Sequence, residues 1–119
     1  IDKPEDIYNN PKSIYVANRL GSPKINILNR TSLNTSSPDK ASQLGLRPEH
    51  IKIGEGELSG SIKTVESLGA ETVVELDFNG AEILSLYQGA FQGQKGDKVN
   101  FAIDQNKILF FDEKGMSVQ

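Results

Sequence analysis

The chain has 119 residues, of which 36% are hydrophobic and 24% charged, with a mass of 13.0 kDa and a mean hydropathy of −0.41. This suits one ordinary globular domain, or a domain plus an arm, and excludes wholesale disorder. No apolar run approaches the ~18 residues needed to span a bilayer, no signal-peptide pattern is present, and the lack of cysteine removes disulfides, thiol catalysis and cysteine-ligated zinc.

The net charge of −3 hides an asymmetry. Residues 1–50 carry seven Lys/Arg against five Asp/Glu, and residues 51–119 carry six against eleven, so the two parts stand at +2 and −5. The sheet-forming part is thus the acidic part, which argues against binding a phosphate backbone. A first residue of Ile1 instead of methionine suggests a piece of a longer protein. The sequons at Asn29 and Asn34 read as chance loop composition in a cysteine-free chain without a leader.

Taken in chain order, Asn10-Pro11 is a helix-start signal, with Asn as cap and proline at the first helical position. Ile14, Val16, Ala17 and Leu20 recur at helical spacing and Gly21 supplies a left-handed stop, which predicts a short amphipathic helix over residues 11–20. Ile25 and Ile27 then predict a strand. Residues 34–43, rich in Ser, Thr, Asn, Asp and Pro, form a loop.

Leu44, Leu46, Ile51 and Ile53 frame a second extended segment, broken at Pro48. Gly54-Glu55-Gly56 is read as a turn. A long strand follows over residues 57–67, with Leu58, Ile62 and Val65 as its apolar marks. The clearest hairpin is residues 71–87: Val74, Leu76 and Phe78 face one way, Glu75 and Asp77 the other, and Asn79-Gly80 makes the two-residue turn. Residues 89–96 form a loop. Val99, Phe101 and Ile103 alternate, 104–106 turn, and residues 107–111 close the sheet. Short strands at this spacing predict a mainly β fold, an OB-like Greek-key β-barrel with a short N-terminal helix.

Chemistry is sparse. Nothing matches a phosphate-cradling glycine loop. Leu58-Ser59-Gly60 begins like an ABC signature sequence but continues Ser61-Ile62 in strand context. His50, the only histidine, neighbours Glu49, yet adjacent residues on an extended segment face opposite ways and cannot share a substrate proton. Arg47-Pro48-Glu49 reads as a stabilising corner, with a partner contact as the alternative: proline interrupts pairing and the guanidinium can form charge-assisted bonds to carbonyls or a carboxylate. Gly69 permits a bend between strands. Phe78, Phe101, Phe110 and Phe111 lie in alternating apolar strands and read as core.

Four segments, in this order, carry a resemblance. They are Tyr8, Pro11, Val16-Ala17 and Gly21-Ser22-Pro23 with Asn26; Leu44-Gly45-Leu46-Arg47-Pro48-Glu49-His50; Val65-Glu66-Ser67-Leu68-Gly69-Ala70-Glu71-Thr72; and Gly96-Asp97 with Leu109-Phe110-Phe111-Asp112. Together they resemble the C-terminal regulatory (TOBE, OB-like) domain of ATP-binding subunits in carbohydrate-type ABC importers, the maltose and glycerol-phosphate group. One departure stands out: only seventeen residues separate Asn26 from Leu44, where that family commonly has more.

The resemblance implies that residues 1–21 are the helix and junction from a nucleotide-binding domain and 22–119 the regulatory barrel. It implies a domain without catalysis or cofactor of its own, ATP and Mg belonging to the parent protein. Its implied partners are a second copy of itself, the transporter's membrane subunits through the ATPase domain, and a regulatory protein, with no nucleic acid. The implied location is cytoplasmic, at the inner face of the cell membrane. Ser22, Pro23, Asn26, Arg47 and Glu49 are the candidates for interface or domain junction. Two other readings stand beside it: a barrel binding a small oxyanion such as molybdate, poorly supported by the −5 segment, and an OB-type nucleic-acid module.

Overall fold

The computed structural model describes residues 10–15, 17 and 23–118. These contain seven strands: β1 (Asn26–Asn29), β2 (Gln43–Leu46), β3 (Ile51–Ser67), β4 (Glu71–Phe78), β5 (Ala81–Gln88), β6 (Lys98–Ile103) and β7 (Leu109–Phe111). They form two antiparallel sheets, β1-β2-β7 and β5-β4-β3-β6. The mainly β expectation holds. The sheets belong to two compact units, one running to Leu46 and resuming at Gln105, the other Arg47–Asp104. No helix among the described residues is long and apolar enough to cross a membrane.

In the first unit, β2 lies between β1 and β7, with Leu44 opposite Leu28 on one side and Phe110 on the other. Ala17, Ile25 and Phe111 form a buried cluster against which Ile14, Ile27 and Leu109 pack. The helix expected over residues 11–20 is not confirmed. Ser13 makes an antiparallel bridge with Met116, and the Ile14 N–H donates to the Gly115 carbonyl at 2.9 Å. Residues 12–14 therefore pair with the C-terminal segment. The Ala17 N–H donates to the Ser13 carbonyl at 3.0 Å. Val16 and residues 18–20 lie outside the described residues.

The second unit has the Greek-key order. β3, β4 and β5 follow one another as hairpins, and β6 returns to lie beside β3. The expected hairpin is present, with Phe78 opposite Ala81 and positive φ at Asn79 (52°) and Gly80 (91°), as a primed turn requires. Val74, Leu76 and Phe78 are buried and Asp77 is exposed. The Phe78 and Phe101 rings meet edge to face at 5.3 Å. Ser85 Oγ donates to the Ile51 carbonyl at 2.7 Å, drawing β5 towards the start of β3 and curling the sheet on itself in the OB-like manner.

Three expectations need correction. Gly54-Glu55-Gly56 does not end a strand. Ile53 and Leu58 both lie opposite Phe101, so residues 54–57 are an excursion within the single strand β3. Residues 107–111 do not close the Greek-key sheet: β7 pairs with β2 in the other sheet, and Gln105–Lys107 form a 3-10 turn. Val65, read as a core mark, is 38% exposed, because β6 has ended before that point and leaves it uncovered on one side.

Candidate functional site

The Leu-Gly-Leu-Arg-Pro-Glu-His segment crosses from one unit to the next in sequence, and two of the residues singled out from the sequence, Arg47 and Glu49, lie on it. Its first part is core-forming strand. Leu44 and Leu46 are buried in β2. Gly45 between them fills a place where a Cβ would sit 2.7 Å from the Phe111 ring and 3.0 Å from Ile25 Cδ1, so only glycine lets β2 lie flat under those side chains.

Asn26 opens β1 opposite Leu46, and its Nδ2 donates to the Leu46 carbonyl at 3.1 Å. At 7% exposure its amide belongs to the sheet edge it closes. Pro23 is half-buried three residues earlier. Ser22 lies outside the described residues.

At Arg47 the strand stops for the reason proline supplies. Pro48 occupies the first position of a 3-10 turn, Pro48–His50, where its missing N–H is not needed. The His50 N–H donates back to the Arg47 carbonyl at 2.9 Å, and the His50 carbonyl accepts from the Asp104 N–H at 3.2 Å. Arg47 is 2% exposed, whereas Glu49 and His50 are half-buried. Glu49 and His50 thus share a turn, not the extended segment first expected. Of the four described candidates, Pro23 and Asn26 lie in the first unit, Arg47 and Glu49 in the second.

Other features are chemically plain. An open groove of about 570 Å³ in the first unit is lined by Arg30, Lys40 and Lys114 and equally by Asp39, Asp112 and Glu113, a balance that concentrates neither charge. Arg30 Nη1 donates to the carbonyls of Asp39 (3.4 Å) and Ala41 (3.2 Å). Among the described residues no group of three His, Cys, Asp or Glu could hold a metal ion.

On the outer face of the second unit the Lys63 amine pairs with the Glu82 carboxylate. That hydrogen bond holds the Glu82 carboxyl below the ordinary carboxylate range and raises the Lys63 ammonium above the ordinary lysine range. Glu75 and Asp77 add their charges to the rise at Lys63. Sequence reasoning missed this pair because a bulge between Ile62 and Thr64 changes which way Lys63 points.

The described residues thus form two antiparallel sheets, one in Greek-key order, that follow one another in sequence across the Arg47-Pro48 corner. The sequence profile of the TOBE domain matches residues 44–111, which takes in the chain from β2 to β7. The chain belongs to the TOBE domain family.

Among similar proteins, an alpha-glucoside transport ATP-binding protein of Rhizobium meliloti is 26% identical over 144 residues, covering 98% of this chain and 40% of its own length. An sn-glycerol-3-phosphate import ATP-binding protein of Psychromonas ingrahamii is 32% identical over 136 residues, covering 94% and 36%. A maltose/maltodextrin import ATP-binding protein of Vibrio cholerae is 25% identical over 143 residues, covering 97% and 38%. The chain therefore spans two-fifths or less of the length of these curated relatives.

Proposed function

We propose that the chain is the C-terminal regulatory domain of the ATP-binding subunit of a sugar-importing ABC transporter, without catalysis or cofactor of its own. The observation that carries this reading is the TOBE-domain match over residues 44–111 in a chain aligned along almost its whole length with transport ATP-binding proteins. ATP and Mg belong to the ATPase part, and that part contacts the membrane subunits at the cytoplasmic face. The domain's task is contact: two copies pack together, which raises the effective concentration of the two ATPase halves while their nucleotide sites open and close. A regulatory protein is a further partner. Ser22, Pro23, Asn26, Arg47 and Glu49 stand at the interface or the junction.

Nothing observed favours molybdate or nucleic acid, and calorimetry with molybdate and sulfate is expected to register no binding. The decisive experiment is sequencing the gene upstream of the Ile1 codon. An open frame encoding a phosphate-binding loop and a complete ABC signature is expected. A stop codon shortly upstream would overturn the reading in favour of a free-standing barrel.

A further inference from the structure

β3 has 17 residues and its neighbour β6 only 6, so β6 cannot cover β3 to its end. The pairing between them stops at Ser61. The last backbone bonds on that side run from the Ile62 N–H to the Asp97 carbonyl and from the Gly96 N–H to the Ile62 carbonyl, both 2.8 Å. From Lys63 to Ser67 the strand pairs on one side only, with β4. The Leu68 N–H donates to the Glu71 carbonyl at 2.7 Å and closes the hairpin. Bonded and non-bonded pairs alternate along an antiparallel ladder, so Val65 and Ser67 turn their N–H and C=O groups to the open side.

This edge is also exposed and apolar in part. Residues 64–70 are exposed throughout, and Val65 and Leu68 are the exposed large hydrophobics of the second unit among the described residues, at 38% and 55%. Natural sheets blunt such edges with proline, charge or a covering element, and the segment Thr64–Ser67 holds no proline. Its two faces differ. Val65 lies opposite the buried Val74, on the core face, and Glu66 opposite Val73, on the outer face. By register that outer face also carries Glu71, Glu75, Asp77 and Glu82, and Lys63, the cation beside them, is already paired with Glu82.

We propose that the Lys63–Ser67 edge receives an extended segment of another protein in which basic and apolar side chains alternate, adding a fifth strand to the sheet. Main-chain bonds to Val65 and Ser67 hold the segment. The period of two places its apolar side chains beside Val65 and its basic ones beside Glu66. A second copy of this chain is the poorer occupant, because self-pairing about Val65 would bring two acidic outer faces into one continuous sheet. This inference stands apart from the transporter reading, since it rests on the sheet of the second unit alone.

The test uses the ¹⁵N-labelled protein and two synthetic peptides, one alternating lysine and valine, the other glutamate and valine. The lysine peptide is expected to shift the amide signals of residues 63–68 and to slow hydrogen exchange at Val65 and Ser67. Its affinity should fall at about 0.3 M salt, where charges are screened over a few ångströms. Two variants keep the result interpretable. Glu66→Lys should weaken binding roughly tenfold. Val65→Pro should abolish it while sparing the β4 ladder, because the N–H it removes faces outwards. Equal binding of the glutamate peptide, shifts centred away from residues 63–68, absence of binding, or concentration-dependent self-association through this edge would each overturn the proposal.

Discussion

Gly45 is held to glycine by space. The nearest ring carbon of Phe111 would lie 2.7 Å from an added Cβ, closer than packed atoms come, and Phe111, Leu44 and Leu46 are all buried. Gly45→Ala is therefore expected to destabilise the protein by about 1–3 kcal/mol, the usual cost of overpacking, read as a lower urea midpoint at unchanged slope. A wild-type midpoint would mean that Phe111 swings aside freely. Ser85 makes a comparable local point: its hydroxyl is buried and serves the Ile51 carbonyl. Ser85→Ala leaves that acceptor unpaired at a cost of about 1–3 kcal/mol, measurable in the same denaturation experiment.

The Lys63–Glu82 pair sets a pH signature at the same scale. Glu82, with its pKa lowered, contributes stability above its unfolded-state value, and that contribution is lost as pH falls through the folded value. Lys63, with its pKa raised, contributes below its unfolded-state value and loses the contribution as pH rises through the folded one. The pair thus acts through the neutral range and fades at both ends, weakly, because both groups are exposed. A carboxyl-carbon NMR titration should place Glu82 lower in the wild type than in Lys63→Ala. Coincident titrations would show that the pair does not persist in solution.

At the scale of elements, the excursion in β3 is the least replaceable feature. Gly56 has φ of 85°, and an added Cβ would lie 2.5 Å from the Ala102 Cβ and 2.7 Å from the Phe101 carbonyl. Backbone conformation and space thus both demand glycine. Gly56→Ala should cost about 1–3 kcal/mol and disturb β6 signals next to Ala102, whereas a change confined to residues 54–57 would show that the excursion floats free of β6. This element also shows where sequence reading stops. The Asn79-Gly80 hairpin was legible because its signal is local: two turn residues between alternating strands. Two glycines around Glu55 look the same whether the chain reverses or bulges and continues, since the choice depends on Phe101 some 45 residues later. The sheet to which β7 belongs, and the uncovered state of Val65, were likewise invisible, because alternation tells which residues face inwards and not what covers them. The corner at Pro48 was readable, but its 3-10 form was not.

For the whole molecule, the proposed role as a contact domain divides labour among the candidate residues by their burial. Arg47, at 2% exposure, and Asn26, at 7%, are inside the chain's own packing. Substituting them removes support from the corner or the sheet before it removes any contact with a partner. Glu49 and Pro23 are half-buried and present surface. Glu49 sits on the rigid turn that Pro48 begins and the Arg47 and Asp104 backbones close, which is the placement that gives a side chain a fixed direction at low entropic cost. If two copies pack as proposed, Glu49→Lys should raise the dimer dissociation constant roughly tenfold, about 1.4 kcal/mol, more than any accompanying shift of the urea midpoint accounts for. Arg47→Ala should cost about 1–3 kcal/mol of stability, read as a lower midpoint, and weaken association only through that loss. Sedimentation equilibrium and urea denaturation of the same two variants separate the effects. The opposite pattern, a weakened dimer at full stability for Arg47→Ala and no change for Glu49→Lys, would move the interface away from the exposed side of this turn and make the buried guanidinium its organiser.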